Sequence, residues 1–340
     1  MSDAELLTPM RSPLRRLTGV QIVGTGSYVP EKIVTNEALA SLGCDAEWIV
    51  QRTGIRERRH APPEIATSDM AVAAAERCIA ASDVDRSQID LLVLATLSPD
   101  HLLPATAGAV QHRLKLNCAA MDLSAACAGF MYAVVTGMQF VATGSSKLAL
   151  VIGADTNSRI MNPADKKTYP LFGDGAGAVL ITKGSEEQGL ISYTLGSDGA
   201  GEQLLVRPAG GSRVPLEISG RNGVDCFVKM DGRPVFKWAV RLIEDSSRQV
   251  LEGAGFNTSD VDLWLLHQAN IRIIDAAADA LAIDRNKIET HIERYGNTSA
   301  GSVPIALNEA YRAGRIKRGE LLLLCGFGGG LSWGTALMRW

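Results

Sequence analysis

The chain reads as the same order of elements twice, and that duplication constrains its fold more than any other feature. The first half reads DLLVLATLS, a helical pattern, MDLSAACAGF, a second helical pattern, KLALVIGAD, then FGDGAGAVLI. The second half reads DLWLLHQAN, helix, HIERYGNTSAG, helix, ELLLLCGFGGG, then SWGTALM. The strand near Asp90 precedes Cys127 by about as much as the strand near Asp262 precedes Asn297, roughly 35 residues in each case. Each half therefore reads strand–helix–strand–helix–strand–strand. The expected architecture is α/β: two pseudo-symmetric halves with mostly parallel central sheets and helices between and around them. Residues 1–17 (MSDAELLTPMRSPLRRL) read as a poorly ordered extension. Residues 18–186 then form the first half and 187–340 the second, joined at the polar loop KGSEEQG.

Short apolar runs mark the strands: Val20–Val23, Leu91–Leu97, Ala119–Leu123, Leu148–Gly153, Ala178–Thr182, Leu263–Leu266, Leu321–Cys325 and Thr335–Met338. Their lack of polar alternation predicts burial on both faces. Helices are expected after Ser68 and over Pro104–Leu114, Ala128–Val141, Val235–Leu251, Ile271–Leu281 and Val303–Tyr311. No run is long enough to span a bilayer. The six cysteines are scattered, with no C-x-x-C and no histidine cluster, which argues against a zinc site or a disulfide framework. A net charge of −3 gives no general attraction to nucleic acid or anionic membrane. The expected setting is cytoplasmic and reducing.

Three positions carry candidate chemistry. Cys127, in LSAACAGF, falls where an apolar strand runs into small residues and a helix. A helix N-terminus lowers a thiol pKa, while the ordinary reading of such a cysteine is a small buried hydrophobe. His267 ends the strand LWLLH, at the end of an α/β sheet where ligands bind, or is a core histidine bound to a carbonyl. Asn297, in YGNTSAGS, lies on a strand-to-helix turn like that of Cys127, or is an ordinary helix cap. The duplication puts Asn297 at the place that Cys127 holds in the first half, so pseudo-symmetry would bring the two turns face to face. GFGGG at 326–330 can point backbone N–H groups inward as oxyanion donors; no Lys-Ser/Thr follows to make it a phosphate cradle. Its first-half counterpart, Gly173–Gly177, reads as a tight structural turn.

SAACAGF, LLHQAN, YGNTSAGS and GFGGGLSWG, in this order, resemble the β-ketoacyl-acyl-carrier-protein synthase III family of the thiolase superfamily. EWIVQRTGIRERR at 47–59 and FGDGAGAVL at 172–180 match as well, and the likeness covers about residues 18 to 340. It implies a thiolase-like fold and an acyltransferase that initiates fatty-acid synthesis without cofactor or metal. The substrates would be an acyl-CoA starter and malonyl-acyl carrier protein. A starter-condensing or acyl-transfer enzyme of a secondary, polyketide-like pathway is the alternative.

The resemblance also implies site residues. Cys127, His267 and Asn297 would form the catalytic triad, with the amides of Cys127 and Gly329 as oxyanion hole. Trp48 and Arg52 would hold the adenine end of CoA, joined by Lys166 where the family often has another basic residue. Lys237 and Arg272 would meet the carrier protein, although the family's further lysines are Asp279 and Ala280 here. The family is homodimeric, and Leu103 stands where it reaches into the partner's acyl tunnel.

Overall fold

A computed structural model gives the architecture and describes residues 12–216 and 223–340. Two five-stranded sheets dominate it. The strands are β1 (Arg15–Thr18), β2 (Val20–Tyr28), β3 (Ile33–Thr35), β4 (Glu57–Arg59), β5 (Leu91–Ala95), β6 (Ala119–Leu123) and β7 (Leu148–Asp155). Then come β8 (Gly175–Lys183), β9 (Gly189–Ser197), β10 (Leu205–Val206), β11 (Lys229–Met230), β12 (Leu263–Leu266), β13 (Leu321–Gly328) and β14 (Ser332–Arg339). One sheet has the order β2-β8-β7-β5-β6 and the other β1-β9-β14-β13-β12; β3 pairs with β4 and β10 with β11. The helices are α1 (Ala46–Thr53), α2 (Thr67–Ala80), α3 (Thr106–Arg113), α4 (Gly129–Ala142), α5 (Gly232–Ala254), α6 (Ile271–Leu281), α7 (Ile292–Tyr295) and α8 (Ser302–Arg312).

Strand alternation sorts the core into layers. Leu91, Val93 and Ala95 of β5 share a cluster with Leu263 and Leu265 of β12, and with α4 and α8, which lie between the sheets. Leu92 and Leu94 point the other way, onto α2 and α3. Trp264 and Leu266 likewise face α5 and α6. Helix, sheet, helix pair, sheet and helix thus stack in five layers. Every central strand is covered on both sides, which is why these strands carry no polar residue in alternation. Helix α4, GFMYAVVTGMQFVA, sits in the middle layer and is apolar nearly all round, as a helix between two sheets must be.

The sheets are mixed rather than mostly parallel. Only β5–β6, β5–β7 and β12–β13 pair in parallel; the other pairs within the two sheets are antiparallel. The parallel pairs are those joined by helical crossovers, while β13 turns directly back into β14. The segment 12–17 also departs from expectation. Arg15–Thr18 is a strand that pairs with β9, so it is an edge of the second-half sheet; residues 1–11 lie outside the described residues. Gly173–Gly177 is not a tight turn: β8 already begins at Gly175. In the second half, the strand expected around His291 is reduced to a single bridge between Trp264 and Ile288.

The two halves meet at turns before α4 and α8. In each turn one non-glycine residue is left-handed, Ala126 with φ 47° and Ser299 with φ 52°. Each precedes its helix start, Gly129 or Ser302, by the same step. That register places Ala300 opposite Cys127, and Asn297 opposite Ser124. The sequence spacing had set Asn297 there. Each turn also presses on a glycine of the other half's sheet. A Cβ at Gly153 on β7 would lie 2.2 Å from Ala300 O, and one at Gly328 on β13 would lie 2.8 Å from Cys127 N. Gly153→Ala therefore drives a methyl into a backbone carbonyl that cannot move alone. It is expected to destabilise the protein by about 1–3 kcal/mol or more, read as a lower midpoint in urea unfolding at unchanged slope.

Candidate active site

Cys127 lies on the turn between β6 and α4, 6% exposed. His267 follows the last residue of β12, with its backbone N–H on Cys325 O at 2.8 Å. Asn297 follows α7, bridged to Phe172. Although 140 residues separate His267 from Cys127 in sequence, all three side chains line one cavity of about 90 Å³. Its opposite wall is the N-terminal end of α5, at Val235 and Phe236, and Ile273 of α6. A second cavity of about 170 Å³ shares Cys127 and Phe172 with the first and runs past Leu97, Ile160 and Met161. The thiol thus stands where two cavities meet.

Hydrogen bonds orient the two partners. Asn297 Oδ1 accepts the Ser299 N–H at 2.8 Å, so the amide's NH₂ end is turned away from that backbone. No described acceptor takes it. His267 Nδ1 lies 2.6 Å from Ser302 Oγ. The same Oγ accepts the Gln268 N–H at 3.5 Å; with the Ser302 hydroxyl donating to Nδ1, the imidazole proton is on Nε2. Burial, then the neighbouring His291, lowers the His267 pKa to about 3. The ring is neutral at physiological pH. His291 is itself fully buried and bonds Ser302 O at 3.1 Å.

Burial pushes the Cys127 thiol up to about 12, opposed by the Ser299 side chain and reinforced by the Asp155 carboxylate. The lowering expected from a helix N-terminus does not prevail in the resting state, because the sulfur is enclosed between the halves.

Asp155 was not singled out in the sequence. It ends the apolar strand KLALVIGAD, and a carboxylate closing such a run was the available signal. Fully buried, it accepts Thr96 Oγ1 at 2.9 Å, Leu97 N–H at 2.8 Å, Ser98 Oγ at 2.9 Å and, across the halves, Ala300 N–H at 3.0 Å. Ser302, which orients His267, was missed for a plainer reason: a serine at a helix start reads as a cap.

The remaining expected residues divide. Gly329 lines the second cavity beside Cys127, and its N–H has no backbone acceptor among the described residues. Trp48 is 40% exposed on α1, with the Arg52 guanidinium 5.3 Å from its ring centroid. Asn270, at the cavity wall, donates to Arg52 O at 3.1 Å and so ties α1 to the mouth. Arg272 is exposed on the first turn of α6, its guanidinium 5.8 Å from the Phe236 ring centroid; Lys237 is half-buried on α5 next to Phe236. Lys166 is exposed between β7 and β8 and lines neither cavity. Asp279 is taken up by Arg285 at 3.0 Å.

Five layers around a buried cysteine at the seam of two α/β halves define a thiolase-fold condensing enzyme, an acyltransferase class. Residues 121–199 match the 3-oxoacyl-[acyl-carrier-protein (ACP)] synthase III family, and residues 251–340 match its C-terminal part. A β-ketoacyl-[acyl-carrier-protein] synthase III of Rhodopirellula baltica is 52% identical over 342 residues, covering 95% of this chain and 99% of the relative. The crystal structure of the 3-oxoacyl-[acyl-carrier-protein] synthase III of Aquifex aeolicus VF5 matches with a TM-score of 0.86 at 40% identity, over 95% of this chain and 100% of that one. The priming β-ketosynthase of the R1128 polyketide pathway matches with a TM-score of 0.89 at 34% identity, over 97% and 98%. The chain belongs to the β-ketoacyl-acyl-carrier-protein synthase III family.

The raised thiol pKa sets a test. A group whose pKa lies at about 12 is almost wholly protonated near neutrality, and its thiolate fraction grows with every step in pH. Alkylation of Cys127 by iodoacetamide in the resting enzyme is expected to rise roughly tenfold per pH unit from about pH 7 to 9 without levelling off. A plateau by pH 8 would mean that the helix N-terminus outweighs burial.

Proposed function

We propose that the chain condenses an acyl-CoA starter with malonyl-acyl carrier protein, with loss of CO₂, through an acyl-enzyme on Cys127. The observation that carries this reading is the common cavity of Cys127, His267 and Asn297, with a neutral imidazole and an amide whose oxygen, not its NH₂, is held by the backbone. The Cys127 sulfur attacks the thioester carbonyl, and CoA leaves with the proton. The tetrahedral oxyanion falls to the N–H groups of Cys127 and Gly329. The malonyl thioester then loses CO₂, and its electron pair becomes an enolate. His267 Nε2–H and Asn297 NH₂ donate to the enolate oxygen. The carbanion attacks the acyl carbon, the Cys127–acyl bond breaks, and a β-ketoacyl thioester leaves.

Substrate delivery follows the mouth. Trp48 and Arg52 offer a stacking face and a guanidinium for adenine, with Lys166 further out. Lys237 and Arg272 flank the N-terminal ends of α5 and α6 and suit an acidic carrier protein. The relative at 52% identity favours initiation of fatty-acid synthesis over the polyketide-type starter reaction. A cytoplasmic setting accords with a reaction that needs a free thiol. In Asn297→Ala, condensation is expected to fall on the order of 100-fold, while acylation of Cys127 by acyl-CoA, followed by intact-protein mass, falls much less. The opposite pattern would reverse the assigned roles.

The reading includes a homodimer. Strand β6 is an open edge of its sheet, and Leu102 and Leu103 beyond β5 are 82% and 87% exposed. A groove at Leu102 and Leu216 shares Leu97 and Ile160 with the second cavity, so a partner's Leu103 could close its far end. Light scattering at micromolar concentration should give twice the mass of one chain. Leu103→Asp should shift it toward the monomer.

A further inference from the structure

The second cavity is apolar along most of its wall, but it contains one fully buried amide. Asn157 lies just beyond β7 and is 0% exposed. Its Nδ2 donates to Gly173 O at 2.7 Å and to Asn297 O at 3.5 Å. Two carbonyls therefore fix which end of the amide is nitrogen. The other end, Oδ1, has no hydrogen-bond partner. A buried carbonyl without a donor is costly, and few are left so in folded proteins. Arg207, also on this cavity, does not serve it: its Nε goes to Cys226 O at 2.7 Å. Leu97, Ile160 and Met161, which line the same cavity, are apolar and offer Oδ1 no side-chain donor.

We propose that Asn157 determines starter specificity, its Oδ1 accepting a hydrogen bond from a hydroxyl on the acyl chain. The favoured starters are then short hydroxyacyl thioesters rather than plain alkyl ones of the same length. This rests on the reading of Cys127 as the acylated nucleophile. The volume of about 170 Å³ suits a chain of a few carbons, and Asn157 and Cys127 line the same cavity. A site built to bond a hydroxyl discriminates strongly against the analogue that lacks it, because its own polar group is then left unpaired.

The test compares rates of Cys127 acylation, by intact-protein mass, for butyryl-CoA and for 2-, 3- and 4-hydroxybutyryl-CoA, with acetyl-CoA as reference. In the full-length protein at least one hydroxybutyryl thioester should react faster than butyryl-CoA. In Asn157→Leu that ratio should fall roughly tenfold or more. Asn157→Asp is the conservative variant. Buried and protonated, its carboxyl can still donate to Gly173 O and keep an acceptor, so the hydroxyl preference should survive a loss of absolute rate. Because each ratio is internal to one protein, partial misfolding cancels. Preference for butyryl-CoA in the unaltered protein, or an unchanged ratio in Asn157→Leu, overturns the proposal; a buried water would then be the partner of Oδ1. Failure of every thioester, acetyl-CoA included, to label Cys127 would remove the underlying reading and the proposal with it.

Discussion

One buried carboxylate holds the two halves in register. Asp155 ends the central strand of the first sheet and spends its lone pairs on both sides of the seam. Burial raises its pKa above the usual carboxylate range, and the hydrogen bonds of Leu97, Ser299, Ala300 and Ser98 work in the opposite direction. Such a group is costly when its partners are missing, so it penalises any docking of the halves in which Ala300 is displaced. The turn that carries Ala300 also carries Asn297 and Ser299. Register at Asp155 therefore becomes geometry at the sulfur.

Much of the fold was legible because both sheets are covered on both faces. Runs such as LALVIGAD and LLLLCG admit few readings other than central strands, and the order of elements exposed the duplication. What escaped was less regular. Strand β9, GLISYTLGS, mixes glycine, serine and threonine with its apolar residues and lies in a sheet whose partners come from the far end of the chain. Arg15–Thr18 owes its strand state to β9 alone, a tertiary effect that no local propensity reports. Counting residues from the preceding strand put Asn297 opposite Cys127. The true register is set by Ala126 and Ser299, whose left-handed backbones have no sequence mark.

The site was legible to a different degree. The three proposed catalytic side chains stand at the ends of strands or in turns, where open α/β sheets leave room for ligands, and the structure gathers them around one cavity. Their protonation was not legible. The thiol pKa depends on enclosure by residues drawn from both halves, and the histidine tautomer depends on a serine 35 residues away. Asn157 was invisible for the same reason: only the fold shows that one end of its amide is satisfied and the other is not.

The reciprocal turns have a further consequence. Ala126 and Ser299 each sit in a backbone state that costs an ordinary residue about 1 kcal/mol, and each is pinned by contacts that the opposite half supplies. Each lobe's turn packs against the sheet of the other; the seam has the self-complementary form of an isologous interface, taken inside a single chain. Two identical subunits meeting this way would present two thiols, or none. Covalent linkage removes that demand for identity, and here one turn carries sulfur while its mate carries only the methyl of Ala300. The asymmetry that a two-substrate site needs is thus built on a frame that is itself nearly symmetric.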